Sequence, residues 1–162
     1  MIRRLVIGSL LCGSAVMADY AYGQTPELRH VFDIRAEITA ALNLGKVPYG
    51  ERVVIPITGG QVTGEVNGKI LSGGADYQIV DTVQKRTELK AIYTIMADDS
   101  TLINVVNEGI NCYSPGDYYF MTTPKFECDQ NSRYAWLNDR IFVCRPVSFE
   151  DGAIVLRVWE VK

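Results

Sequence analysis

Histidine is nearly absent: His30 is the only one in 162 residues. A serine or cysteine triad would need it as the base, and no G-x-S-x-G elbow accompanies it. The four cysteines, Cys12, Cys112, Cys128 and Cys144, never fall in C-x-x-C spacing, so no zinc motif is readable. Asp98-Asp99 suits a turn better than a Ca²⁺ site and lacks the EF-hand ligand pattern, so no metal is expected. The glycine pairs Gly59-Gly60 and Gly73-Gly74 match neither a dinucleotide fingerprint nor a phosphate loop, and no cofactor is implied. Long 3.6-period segments are missing beyond residue 23, which argues against α/β architectures. So are apolar runs long enough to span a bilayer. The net charge is −3, with lysines scattered rather than clustered. That leaves no electrostatic footprint for nucleic acid or anionic lipid.

What is present begins with a leader. Arg3-Arg4 supply a positive start, Leu5–Met17 is apolar but too short to span a membrane, and Ala21 and Gly23 are small. This is the pattern of a secretory signal peptide over residues 1–23, cut after Gly23 or alternatively after Ala18. The expected destination is the periplasm or the extracellular medium, with no membrane insertion once the leader is removed. Residues 24–162 then form one domain, long enough for a real core.

The body reads as strands. Phe32, Ile34, Ala36, Ile38, Ala40 and Leu42 alternate with Asp33, Arg35, Glu37 and Thr39, a period of two. Asn43–Gly50 reads as a loop. Glu51–Ile57 is the next strand, Gly59-Gly60 turns the chain, and Gln61–Leu71 follows. Asp76–Val80 is short. Glu88–Ala97 and Thr101–Asn107 make a hairpin about the turn residues Asp98-Asp99-Ser100. Glu108–Asp117 reads as an irregular link. Tyr118–Glu127, Tyr134–Cys144 and Ala153–Val161 complete an all-β chain. The expected fold is a single antiparallel β-barrel of about eight to nine strands, lipocalin-like in general shape.

Several dispersed motifs point to a family. Pro48-Tyr49-Gly50-Glu51-Arg52, Ile57-Thr58-Gly59-Gly60, Gly73-Gly74-Ala75-Asp76-Tyr77, Phe126-Glu127 and Tyr134-Ala135-Trp136-Leu137-Asn138 occur in this order. From about Leu28 onward the chain resembles the family catalogued as domain of unknown function 3237. It departs at Tyr77, where that family more often has Trp, and at Ser100, where Gly is usual. The resemblance implies a small antiparallel β-barrel and no assigned reaction.

The polar members of these motifs, together with Tyr93 on the strand Glu88–Ala97, supply the site candidates. Asp76 and Glu127 are the expected acid–base pair. Arg52 would bind an anionic group, and Tyr93, Tyr134 and Asn138 would donate hydrogen bonds. With Trp136 sharing a strand face with Tyr134 and Asn138, an aromatic wall would complete the cavity. Each also has an ordinary use: Asp76 caps a turn, Arg52 pairs with Glu127, Asn138 satisfies backbone. Three classes compete. One is a cofactor-independent isomerase, lyase or hydrolase acting on a small hydrophobic or aromatic metabolite. The others are a carrier of such a molecule and an envelope interaction module; a homo-oligomer stays open in all three. If a disulfide forms, treating Tyr118–Glu127 and Tyr134–Cys144 as a hairpin joins Cys112 to Cys144 and leaves Cys128 free.

Overall fold

A computed structural model describes residues 25–150 and 152–162; the leader expected over residues 1–23 lies outside the described residues. Ten strands run in order: β1 Leu28–Ile38, β2 Leu42–Val47, β3 Gly50–Gly64, β4 Gly68–Ile70, β5 Gly74–Asp81, β6 Arg86–Ala97, β7 Leu102–Ser114, β8 Asp117–Cys128, β9 Phe142–Glu150 and β10 Ala153–Val161. All pairings are antiparallel. The ring runs β1, β10, β9, β8, β7, β6, then β4 and β5 end to end along β6, then β3, which pairs back to β1. This is a ring-like sheet of eight strand positions, with β2 added to the first half of β3. Closure pairs most strands on both sides, while β2 keeps a free outer edge.

The alternation in β1 does place Phe32, Ile34 and Ala36 inside, but the strand ends at Ile38. Several boundaries differ from expectation. Gly59-Gly60 does not turn the chain. β3 runs through it, and Gly60, at φ +135°, lets β1 cross so closely that a Cβ there would lie 2.0 Å from the Arg35 carbonyl oxygen. Asn43–Gly50 is largely strand, because β3 offers an edge; the Asn43 side chain accepts from the Gly45 N–H at 2.7 Å where the register slips. β7 continues through Glu108 to Ser114, paired on both sides. Residues 134–139 are not strand either. Ala135–Asp139 is a 3₁₀ turn. Asp129 accepts from the Asn131 N–H at 2.8 Å, and i→i+3 bonds from Ala135 to Ser132 and from Leu137 to Tyr134 carry the turn forward. Short polar side chains here win the backbone away from a ladder. Ser100 sits at φ +69°, the left-handed region that favours glycine.

The two ends of the barrel differ. At one end the 3₁₀ turn and the β3–β4 and β6–β7 turns close over a core. There Phe126 meets Phe32 and Phe142 edge-to-face, with ring centroids 5.5 and 5.0 Å apart. Trp136 packs on Phe142 at 5.9 Å. Tyr134, Leu137, Ile95, Ile103 and Val158 fill the rest. At the other end lie the β5–β6, β7–β8 and β9–β10 turns, and the interior there is not filled.

The three cysteines from Cys112 onward are free thiols, so the Cys112–Cys144 bridge does not form. β8 stands between their strands, with Cys112 opposite Tyr119 and Cys144 opposite Thr122. Two strand spacings of roughly 4.8 Å put the pair beyond disulfide reach. Cys112 also lies in phase with the outward residues of β7, whereas Cys144 is wholly buried.

Candidate functional site

The unfilled end holds a cavity of about 210 Å³. Its walls come from successive rungs of the ladder. Ile55 on β3, Asp76 on β5, Ala91 on β6 and Asn107 on β7 stand in one row. Gln78, Leu89, Gly109 and Thr122 form the next, and Thr87, Asn111 and Phe120 the one nearest the mouth. Register partners project to the same face, so these side chains share the interior. Ala91 and Gly109 are the reason there is space. Asp76 and Asn107 are two strand spacings apart, roughly 10 Å, with only a methyl group between them.

Tyr93 forms the floor. Its ring stands opposite Gly74, where a Cβ would come within 2.6 Å of the Tyr93 Cβ. Gly74 therefore lets β5 lie close against β6 at this point. Tyr93 is 3% exposed and its hydroxyl has no partner. Asp76 is the diagonal neighbour of Tyr93, a relation that spaces Cα atoms by roughly 7–8 Å. Gln78 Nε2 donates to Asp76 Oδ2 at 2.6 Å, while Asp76 Oδ1 has no partner. Burial raises the Asp76 carboxyl above its usual range, against the opposing hydrogen bonds from Gln78 and the Lys90 backbone. Burial likewise raises the Tyr93 phenol, so it stays neutral. Asn107 Oδ1 and Asn111 Oδ1 are also buried without partners. Cys144, behind Thr122, has its thiol pushed up to about 12 by burial, which leaves it unreactive.

The barrel wall is weakest beside this cavity. β7 and β8 share twelve register pairs, but β8 and β9 share one, Thr122 with Cys144. Pro146 has no N–H to give, and the register of β9 slips around Val147. Beyond Thr122 the two strands part. Phe120 and Phe149, which both line the cavity, stand on the two sides of the opening, and Phe149 is 66% exposed.

Of the expected site residues, Asp76 and Tyr93 meet in the cavity; the others do not. Glu127 is out of phase with the inward residues of β8, exposed, and accepts from Asn104 Nδ2 at 3.1 Å. Arg52 points outward from β3, with Nη1 3.4 Å from the Gln78 carbonyl oxygen. Asn138 clamps Cys128, accepting from its N–H at 2.9 Å and donating to its carbonyl at 3.0 Å. Tyr134 and Trp136 belong to the closed end, where the ring of Tyr134 carries the Arg133 guanidinium at 4.7 Å. The expected convergence of Asp76 with Glu127, Arg52 and Asn138 is thus overturned by strand parity and by the 3₁₀ turn. Asn107, Asn111, Gln78 and Thr122 are site residues that the motifs did not flag. The signal was available for Asn107: it continues the phase of Ile103 and Val105, an amide on an otherwise apolar face.

Among the described residues no group of three His, Cys, Asp or Glu is placed to hold a metal, and no helix is long and apolar enough to cross a membrane.

Fold and cavity together define a β-barrel with a partly polar interior site. The sequence profile of the family described as "Protein of unknown function (DUF3237)" matches residues 26–116 and 113–161. The chain belongs to that family. It is 33% identical over 146 residues to the UPF0311 protein RPA1785 of Rhodopseudomonas palustris, covering 81% of this chain and 94% of that one. The crystal structure of RPA1785, described as a conserved protein of unknown function, superimposes with a TM-score of 0.77 over 86% of this chain and 100% of that chain. A crystal structure described as a beta-barrel like protein from Acinetobacter baumannii gives 0.76 at 27% identity, covering 88% of this chain and 99% of that one. A structure described as an enzyme from Penicillium herquei gives 0.70 over 86% of this chain and 97% of that one; at 18% identity it shares the fold alone.

Proposed function

We propose that the protein binds a small, mainly apolar ring compound in this cavity and acts on it by cofactor-independent acid–base chemistry. One observation carries the reading. Of five buried side-chain atoms left without a partner among the described residues, four belong to Asp76, Tyr93, Asn107 and Asn111, which line the same cavity. Each such atom costs about 1–3 kcal/mol when unpaired, and a bound polar group offsets that cost. Asp76 acts as the base, its carboxylate made more basic by burial. It removes a proton from an acidic C–H of the ligand; the C–H electron pair becomes the new double bond, and the carbonyl oxygen takes the displaced pair. The neutral Tyr93 hydroxyl donates to that oxygen. The apolar majority of the wall, with Ile38, Ile55, Ile57, Leu89, Ile154 and Leu156, favours a lipocalin-like carrier as the second reading.

Proton–deuterium exchange into 2-tetralone, a bicyclic ketone with acidic C–H bonds, separates the two. The enzyme accelerates exchange in D₂O, followed by NMR, and Asp76→Asn abolishes the acceleration while binding persists. Binding without acceleration selects the carrier, and absence of binding removes both. Export belongs to the same proposal: Arg3-Arg4, the short apolar run and the small residues Ala21 and Gly23 support a mature chain starting near Gln24. Mass spectrometry of protein from a periplasmic fraction checks it, and an intact Met1 there would refute it.

A further inference from the structure

We infer that the cavity selects neutral ring compounds carrying a phenolic or enolic hydroxyl and rejects carboxylates, phosphates and other anions of the same shape. The inference rests on the binding reading above and specifies the ligand of that site.

The distribution of charge is its first support. Among the described residues lining the cavity there is one ionisable carboxylate, Asp76, and no lysine, arginine or histidine. The cations on the strands that build the walls are turned outward, and several are engaged there. Arg35 pairs with Glu37 and Glu150, Arg86 with Glu88, Lys90 with Glu108 and Arg157 with Asp33. Arg52 reaches the outer side of the Gln78 backbone. An anionic ligand would give up its hydration beside a buried carboxylate and find no counter-charge, an arrangement that costs binding steeply.

The inventory of donors and acceptors is the second. Gln78 Nε2 is committed to Asp76 Oδ2, and Thr122 Oγ1 donates to the Cys144 carbonyl at 3.3 Å. The fully buried atoms left without a partner are three acceptor oxygens, Asp76 Oδ1, Asn107 Oδ1 and Asn111 Oδ1, and the Tyr93 hydroxyl, which both donates and accepts; the two asparagine amides also carry N–H donors. Three buried acceptor oxygens, one of them on a carboxylate, call for a ligand that brings an O–H group. Asn107 and Tyr93 are each 3% exposed, deep in the cavity. Size narrows the class further. A dry cavity of about 150 Å³ takes up benzene, so the present volume of about 210 Å³ suits a substituted ring or a fused bicycle.

Three probes of nearly equal shape test this: 2-naphthol, 2-naphthoate and naphthalene, each titrated by calorimetry near neutral pH. The expected order is 2-naphthol tightest, by at least about tenfold over both of the others, a gap of roughly 1.4 kcal/mol. Asp76→Asn removes the repelling charge and narrows the gap between naphthol and naphthoate; Glu127→Gln, on the outer face, leaves it unchanged. Naphthoate binding as tightly as naphthol to the wild-type protein overturns the inference while leaving a binding cavity in place. Failure of all three to bind overturns the binding reading itself. The wild-type comparison decides the matter even if a variant fails to fold.

Discussion

The same strands build two unlike halves. On β7, Ile103 and Val105 are wholly buried in the closed half, and two and six residues past Val105 the same face presents Asn107 and Asn111. On β1, Phe32 and Ile34 are each 1% exposed, whereas Ile38 opens toward the mouth. On β8, Phe126 sits in an aromatic stack, while Phe120 borders a parted seam. The closed half is packed to exclude everything. The mouth half carries unpaired polar atoms that a folding core would reject. One barrel thus assigns stability to one end and leaves the other free to hold polar groups at a cost.

If that division is real, deletion in the two halves should differ. Phe126→Ala strips a ring that contacts both Phe32 and Phe142 and should destabilise by about 3–5 kcal/mol. Leu156→Ala enlarges a cavity that already exists and should fall near the lower end of the range for such truncations, about 2 kcal/mol. Urea midpoints at constant m-value compare them. Equal losses would dissolve the distinction between the halves.

A smaller effect of opposite sign is expected at the cavity floor. Tyr93→Phe removes a buried hydroxyl that has no partner, and should raise the stability of the empty protein by about 1 kcal/mol. The same change should weaken 2-naphthol binding. A loss of stability in urea titration would mean that the hydroxyl is satisfied after all.

Asp76 gives the division a pH signature. Its carboxyl is raised in the folded state, chiefly by desolvation, so the native protein binds that proton more readily than the unfolded chain. The penalty is complete above the raised value and is relieved as pH falls into the ordinary carboxylate range. Relative to Asp76→Asn, the wild type should therefore gain stability on acidification. Asp33 works in the other direction. Desolvation pulls its carboxyl up, but Arg157 and His30 together hold it lower, so its contribution is present at neutral pH and lost on acidification. Subtracting the Asp76→Asn curve cancels this background, and a flat difference in urea midpoints across that pH range would contradict the assignment.

Much of the barrel was legible because strand periodicity is a local signal. The alternation of β1 and the span of β10 could be read directly from residue types. Gly59-Gly60 misled because two glycines read equally as a turn or as a place where another strand crosses, and only the position of Arg35 decides. Tyr134–Asn138 misled because its aromatics fit a strand, while Asp129 and Ser132 upstream redirect the backbone. Asp76 was readable as a polar group within a recognisable motif, and Tyr93 as a phenol on a clear strand outside the motifs. That Asp76 faces inward while Glu127 faces outward depends on register across four strands, β5 to β8, which no single segment contains. Asn107 is the instructive case: its phase was visible, but an amide has too many ordinary uses for phase alone to mark it.

The smallest expected effect is the sharpest control on the inside–outside division. Glu127 follows Phe126 by one residue, so the pleat sends the two side chains to opposite faces of β8. Its carboxylate is exposed and accepts a hydrogen bond from Asn104 Nδ2 at 3.1 Å. Glu127→Gln keeps the size of the group and removes only a solvated charge. The change in stability should stay within about 0.5 kcal/mol, and exchange into 2-tetralone should be unaltered. Asp76→Asn is the same chemical edit made on the inner face of β5, where exchange should vanish. The two variants differ in location and in little else, so their contrast isolates the cavity from the carboxylate chemistry as such. Comparable loss of exchange in both would restore Glu127 to the site and displace the register on which the cavity assignment stands.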